Sequence, residues 1–180
     1  MSAAGELVRI VKLDTIPQGV QTITATPAEC AALAHRFGIA DVRGLRAEVT
    51  LEPDGREIAV TGTLVADIDQ HCAVSGDIFA NRVEESIDLR FVPARRVSQA
   101  DAEGEAIELD SDALDEIEFT GDAFDLGEAL AQSLGLAIDP YATGPGADEA
   151  RRAAGLLGED APSGPFAALA KWKDGLASDD

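Results

Sequence analysis

The feature that most limits what this chain can fold into is a change of hydrophobic period at Leu45. From there Leu45, Ala47, Val49 and Leu51 alternate with Arg46, Glu48, Thr50 and Glu52. Alternation of this kind places one set of side chains on a buried sheet face and the other in water. Pro53-Asp54-Gly55 then supplies turn chemistry, because Pro presets φ and Gly permits a positive φ. Ile58, Val60, Gly62, Leu64, Ala66 and Ile68 continue the alternation on a returning strand. After a break at Gln70 to Asp77, a third long strand is predicted from Ile78 to Val92, ended by Pro93. Val83, Glu85, Ile87, Leu89 and Phe91 share one of its faces, with Glu85 interrupting the apolar pattern. Three such strands most simply form an antiparallel meander with one buried face.

Upstream, the period is helical. Thr26-Pro27-Ala28-Glu29 combines a capping residue, a proline suited to the first helical position and the glutamate of a capping box. Cys30, Leu33, Ala34 and Phe37 lie on one helical face, and Gly38 supplies the stop. These residues predict a helix from Pro27 to Phe37. Glu6 to Leu13 and Gln21 to Ala25 read as short extended segments. A second helix is predicted from Asp122 to Ile138, capped by Thr120 or Asp122 and closed by Asp139-Pro140. Its stripe is Leu126, Ala129, Leu130, Leu134, Ala137 and Ile138. Ile117 and Phe119 mark a short extended piece before it, and Asp148 to Leu157 a weakly helical one after it.

The expected fold class is therefore α+β. A curled, mostly antiparallel sheet of five to six strands packs with two main helices, followed by a flexible C-terminal tail. Residues 1–140 are expected as a single domain, with an acidic mobile loop at 94–114. Residues 141–180 are expected as a Gly/Pro-rich linker and a terminal motif. In that motif Phe166, Leu169 and Trp172 recur every third residue, followed by Lys173.

Composition narrows the function classes. The chain has 180 residues, of which 46% are apolar and 27% charged, which argues against global disorder. No stretch approaches 18 consecutive apolar residues, so no membrane span is expected. Met1 to Lys12 lacks a basic segment leading into an apolar core, so no secretory signal is expected. Two cysteines do not make a disulfide framework, and a cytoplasmic setting is the default expectation.

The net charge is −20. It is unevenly spread, since residues 101–180 hold 4 basic and 20 acidic side chains. Asp101 to Asp125 contains 11 acidic residues, Asp112, Asp115 and Glu116 among them, and no basic one. Such a block is either a solvated loop or a face for a basic protein. It opposes non-specific binding to nucleic acid or an anionic membrane. Arg90, Arg95 and Arg96 are the expected contact if RNA is touched directly, with Arg82, Arg43 and Arg46 as neighbours across the sheet.

Reactive groups are few. Cys30 sits on the apolar face of the first helix and reads as a buried structural thiol. His35 lies on the same helix, off that face. His71-Cys72 lies at a turn between long strands. Cys72 is followed three residues later by Ser75, and no second Cys pair exists to complete a zinc site. Adjacent strand residues point to opposite faces, so His71 is a poor base for Cys72. There is no phosphate-binding loop, dinucleotide turn or nucleophile elbow. Neither an enzyme nor a bound cofactor is expected.

Several local features together resemble the bacterial YceD-like family. Cys72-Ala-Val-Ser75-Gly-Asp-Ile-Phe79 has the spacing of a Cys-x-x-Cys turn followed by Phe, with the second Cys replaced. Phe124-Asp125-Leu126-Gly-Glu-Ala-Leu130 is similar to the Asp-Leu motif that opens a helix in that family. Leu136-Ala-Ile-Asp139-Pro140-Tyr141 is similar to the Pro-containing segment after that helix, here with no Cys following. Gly164-Pro165-Phe166-Ala-Ala-Leu169-Ala-Lys171 is similar to the closing Pro-Phe-x-x-Leu motif.

The resemblance runs from the first strand to Lys173. It implies a non-catalytic factor in ribosome biogenesis, supporting accumulation of large-subunit ribosomal RNA. A basic ribosomal or assembly protein is the expected partner, met by Phe166, Leu169, Lys171, Trp172, Asp112, Asp115 and Glu116. It leaves Cys72 and Ser75 as a degenerate metal position. The alternative is a small-ligand binding protein with a pocket between sheet and helices.

Overall fold

The computed structural model describes residues 5–94 and 116–155. The fold is α+β, with a five-stranded mixed sheet, a separate two-stranded sheet and three α-helices among the described residues. The elements in chain order are β1 (Ile10–Lys12), β2 (Val20–Thr24), α1 (Pro27–Phe37), β3 (Asp41–Asp54), β4 (Glu57–His71) and β5 (Ile78–Pro93). They continue with β6 (Glu116–Phe119), β7 (Ala123–Asp125), α2 (Leu126–Ala137) and α3 (Ala147–Ala153). Contacts divide the described chain into two compact units. One comprises 5–69, 81–94 and 116–139, and the other 70–80 and 140–155.

Local chemistry sets α1 where the sequence places it. The Thr26 side chain accepts from the Glu29 N–H at 3.3 Å, and the Glu29 carboxylate accepts from the Thr26 N–H at 2.7 Å. Gly38 closes the helix at φ 65°, in the left-handed region that suits glycine. Cys30, Leu33 and Ala34 form its buried side.

The long strands bury the predicted alternation. Leu45, Ala47, Val49 and Leu51 of β3 belong to one apolar cluster with Ile58, Val60, Leu64, Ala66 and Ile68 of β4. Val83, Ile87 and Phe91 of β5 join them, as do Leu126, Ala129, Leu130, Ala131 and Leu134 of α2. Glu85 is only half-buried. The β3–β4 turn falls one residue later than the Pro53-Asp54-Gly55 reading. Pro53 and Asp54 pair with Ile58 and Glu57, and Gly55 takes φ 63° in a two-residue turn.

Three sequence expectations are corrected. The sheet is not strongly curled. Among the described residues its order is β2-β3-β4-β5-β6. The β5–β6 pairing is parallel, in the register Arg90↔Glu116.

The second helix starts at Leu126, with Asp125 as its cap, and not at Asp122. Residues Ala123–Asp125 are claimed by strand pairing with β1, in the register Val11↔Phe124. Phe124 is buried and stacks on Phe91 at 4.1 Å between centroids, with Phe119 at 5.9 Å. Burial of an aromatic ring outweighs the few tenths to one kcal/mol (roughly) that separate competing caps.

The first strand is also shorter than Glu6 to Leu13, because only Ile10–Lys12 has a partner in β7. Within residues 141–180, Ala147–Ala153 forms α3, overlapping the piece from Asp148 to Leu157 expected as weakly helical.

Two arginine clasps link segments far apart in sequence. Arg9 donates to both Glu29 oxygens at 2.6 and 3.0 Å, and the Arg9 N–H donates to the capping Asp125 carboxylate at 2.8 Å. The Arg9 hydrogen bonds, then the Thr26 N–H, pull the Glu29 pKa down to about 2. Arg36 donates to Glu6 at 2.9 Å and to Glu128 at 2.9 and 2.8 Å, tying α1 to α2. No helix of the described residues is long and apolar enough to cross a membrane.

Candidate functional site

The turn between β4 and β5 is built around the Cys72 sulfur. The Cys72 N–H donates to the Asp77 carbonyl at 2.8 Å, and the Gly76 N–H returns to the Cys72 carbonyl at 2.9 Å. Gly76 makes the reversal at φ 76°. The Ser75 N–H donates to Cys72 Sγ at 3.4 Å. The 140–146 segment lies alongside, with the Ala73 N–H donating to the Ala142 carbonyl at 3.0 Å. Gly144 approaches Phe79 so closely that an added Cβ would lie 2.9 Å from the ring. The Cys72–Phe79 run therefore meets a segment distant in the chain, the one after Pro140.

Cys72 is buried, at 3% exposure, and its thiol pKa falls to about 6. The largest cause is the Ser75 hydroxyl, followed by the backbone N–H groups of Ser75 and Gly144. All of them donate to the thiolate and so favour the charged form. Ser75 thus occupies the spacing of a second cysteine and serves the first as a hydrogen-bond donor.

His71 points elsewhere, as alternation requires: it is exposed, with Nδ1 3.2 Å from the Gly76 carbonyl. Among the described residues no group of three His, Cys, Asp or Glu side chains is arranged to hold a metal ion. Cys30 differs from Cys72, since burial pushes its thiol pKa up. An ultraviolet thiolate titration of the folded protein is therefore expected to show one midpoint near pH 6. That midpoint should disappear in Cys72→Ser and persist in Cys30→Ala. A single wild-type midpoint above pH 8 would contradict the donor arrangement.

The other sequence-predicted residues are dispersed. Glu116 opens β6 directly beside Arg90 in the parallel register, and Arg90 also donates to Glu57 at 3.4 Å. An expected acidic partner contact and an expected RNA contact are thus neighbours that offset each other's charge. Arg95, Arg96, Asp112, Asp115, Phe166, Leu169, Lys171 and Trp172 lie outside the described residues.

Arg43, Arg46 and Arg82 do meet. They line a groove of about 530 Å³ on the sheet's polar side, with Thr24, Gly44, Glu48, Thr63 and Asp67. Strand alternation made the exposure of Arg46 and Arg82 legible; Arg43, three positions from Arg46, joins their groove across the irregularity between Val42 and Gly44, and the shared groove required the order of the strands. Leu33, Leu64, Leu130 and Leu134 are each fully buried in the apolar cluster.

No protein-family model, curated protein or solved structure matches this chain.

Proposed function

We propose that this chain is a non-catalytic factor in ribosome biogenesis that supports accumulation or assembly of large-subunit ribosomal RNA. It acts in the cytoplasm through a basic ribosomal or assembly protein. The observation that carries the reading is the convergence at Cys72. The turn, Phe79 and the post-Pro140 segment, each part of the resemblance to the YceD-like family, pack on one another. The Asp125-Leu126 motif likewise caps α2, with its carboxylate accepting from Gly127 and Glu128 N–H groups at 3.0 and 3.3 Å.

Charge supplies the mechanism. A net charge of −20 concentrated in residues 101–180 attracts a basic protein and speeds its encounter. The apolar residues Phe166, Leu169 and Trp172, with Lys171, supply the anchor.

The test is affinity capture from cell lysate at two salt concentrations, with and without nuclease. Wild type runs beside a full-length Phe166→Ala/Trp172→Ala variant. Large-subunit ribosomal proteins should be recovered after nuclease treatment and fall away with salt and in the variant. Recovery of no ribosomal material under any condition would sink the proposal.

A further inference from the structure

We propose that the chain's own segment from Phe166 to Trp172 folds back on the compact unit around Cys72 and covers Val74, Ile78 and Tyr141. The segment is then free to anchor a partner only when this contact opens. That consequence rests on the function proposed above, whereas the docking stands on the structure. The described part of the unit is two short segments, 70–80 and 140–155. Its buried apolar side chains among the described residues are Cys72 and Ala147, and neither belongs to the main apolar cluster. A body this small buries little of its own apolar surface and gains stability from further cover.

What the unit lacks inside, it shows outside. Seven large apolar side chains are exposed among the described residues, and three of them belong to this unit. They are Val74, Ile78 and Tyr141, at 36%, 60% and 79% exposure. All three gather at one junction. There the Cys72 N–H donates to the Asp77 carbonyl at 2.8 Å, and the Ala73 N–H donates to the Ala142 carbonyl at 3.0 Å. Val74, Ile78 and Tyr141 each adjoin a residue of those two bonds. Single exposed apolar residues are ordinary, but three at one junction above so small a core mark a surface that is covered.

The occupant lies in the same chain. The described residues end at Gly155, inside this unit. Eleven positions further on, Phe166, Leu169 and Trp172 bring three large apolar side chains within seven residues. An extended stretch of that length reaches about 35 Å. A compact body of the unit's size is about 20 Å across. Every point on it is therefore within reach. A tether this short gives a local concentration on the order of 1 mM, which a second copy in dilute solution does not approach. The contact is apolar, so ordinary salt does not weaken it, in contrast to capture by the acidic surface.

The experiment reads Trp172, the one tryptophan of the chain, by emission and acrylamide quenching on the full-length protein. In wild type the emission should be blue-shifted against the same protein in urea, and quenching should be several-fold weaker. Both should be unchanged by dilution and by salt. Ile78→Asp/Tyr141→Ser replaces exposed side chains and should keep its circular dichroism spectrum. Its emission should move to the red and its quenching rise several-fold. Val20→Asp, at a residue 67% exposed on β2, should leave Trp172 as in wild type. In lysate capture, the double variant should recover more large-subunit ribosomal protein than wild type, because its anchor is uncovered.

Wild-type emission equal to that in urea overturns the proposal. So does an unshifted double variant, or an equal shift in Val20→Asp. A blue shift that fades on dilution also overturns it and gives the surface to a second copy. Unchanged capture by a double variant whose Trp172 is exposed overturns the masking of the anchor. Failure to capture ribosomal material at all would remove the proposed function and leave the fluorescence result standing, so the two readings fail separately.

Discussion

Gly62→Ala is expected to be the most damaging single-methyl change in the chain. Gly62 faces Val49 across the β3–β4 ladder. A Cβ there would lie 2.1 Å from the Glu48 carbonyl oxygen and 2.7 Å from Val49 Cα. Both are backbone atoms in the middle of long paired strands, so neither can yield without breaking ladder hydrogen bonds. The expected loss is about 3 kcal/mol, at the upper end for overpacking, read from the midpoint of urea denaturation. Gly44→Ala is the internal control. Gly44 lies on the same strand pair in open space, so its replacement should leave the midpoint nearly unchanged. Equal effects at the two positions would show that general strand propensity, not close approach, decides the outcome.

Phe124→Ala is expected to cost about 3–5 kcal/mol, the range for removing a buried aromatic ring. Phe124 is 4% exposed and lies against Phe91 and Phe119. Those rings come from β5 and β6, so the ring of Phe124 joins the two-stranded sheet to the five-stranded one. Leucine should recover part of the loss by refilling volume, and thermal unfolding of the Ala and Leu variants would measure both. A loss below about 1 kcal/mol for alanine would mean the site collapses around the gap, and the ring would not be the link described.

These two residues mark where sequence reasoning succeeds and where it stops. The alternation through Gly62 was readable, so its place on the buried-side strand register was readable too. What glycine is needed for was not, because the approaching carbonyl belongs to Glu48, fourteen positions away. Phe124 was read as the entrance to a helix, since Asp122 and Thr120 are good caps. Its assignment to a strand came from β1, more than a hundred residues upstream.

The candidate sites divide the same way. Cys72, Ser75 and Phe79 were visible as a spaced motif, but the lowered Cys72 pKa depends on Gly144, brought in from beyond α2. Arg46 and Arg82 of the groove were visible as exposed strand residues, and Arg43 was not, because the irregularity between Val42 and Gly44 breaks the alternation there. Their shared groove was set by strand order.

By itself the sequence determined α1 to the residue, the long strands and the class α+β. Each of these rests on interactions within a few positions: a capping box, a stop glycine, a period of two. Only the tertiary structure decided the strand order, the parallel β6, the Asp125 cap and the contacts around Cys72. Those depend on which distant backbone and side-chain groups are brought into reach, and burial and hydrogen bonding there outweigh local preference.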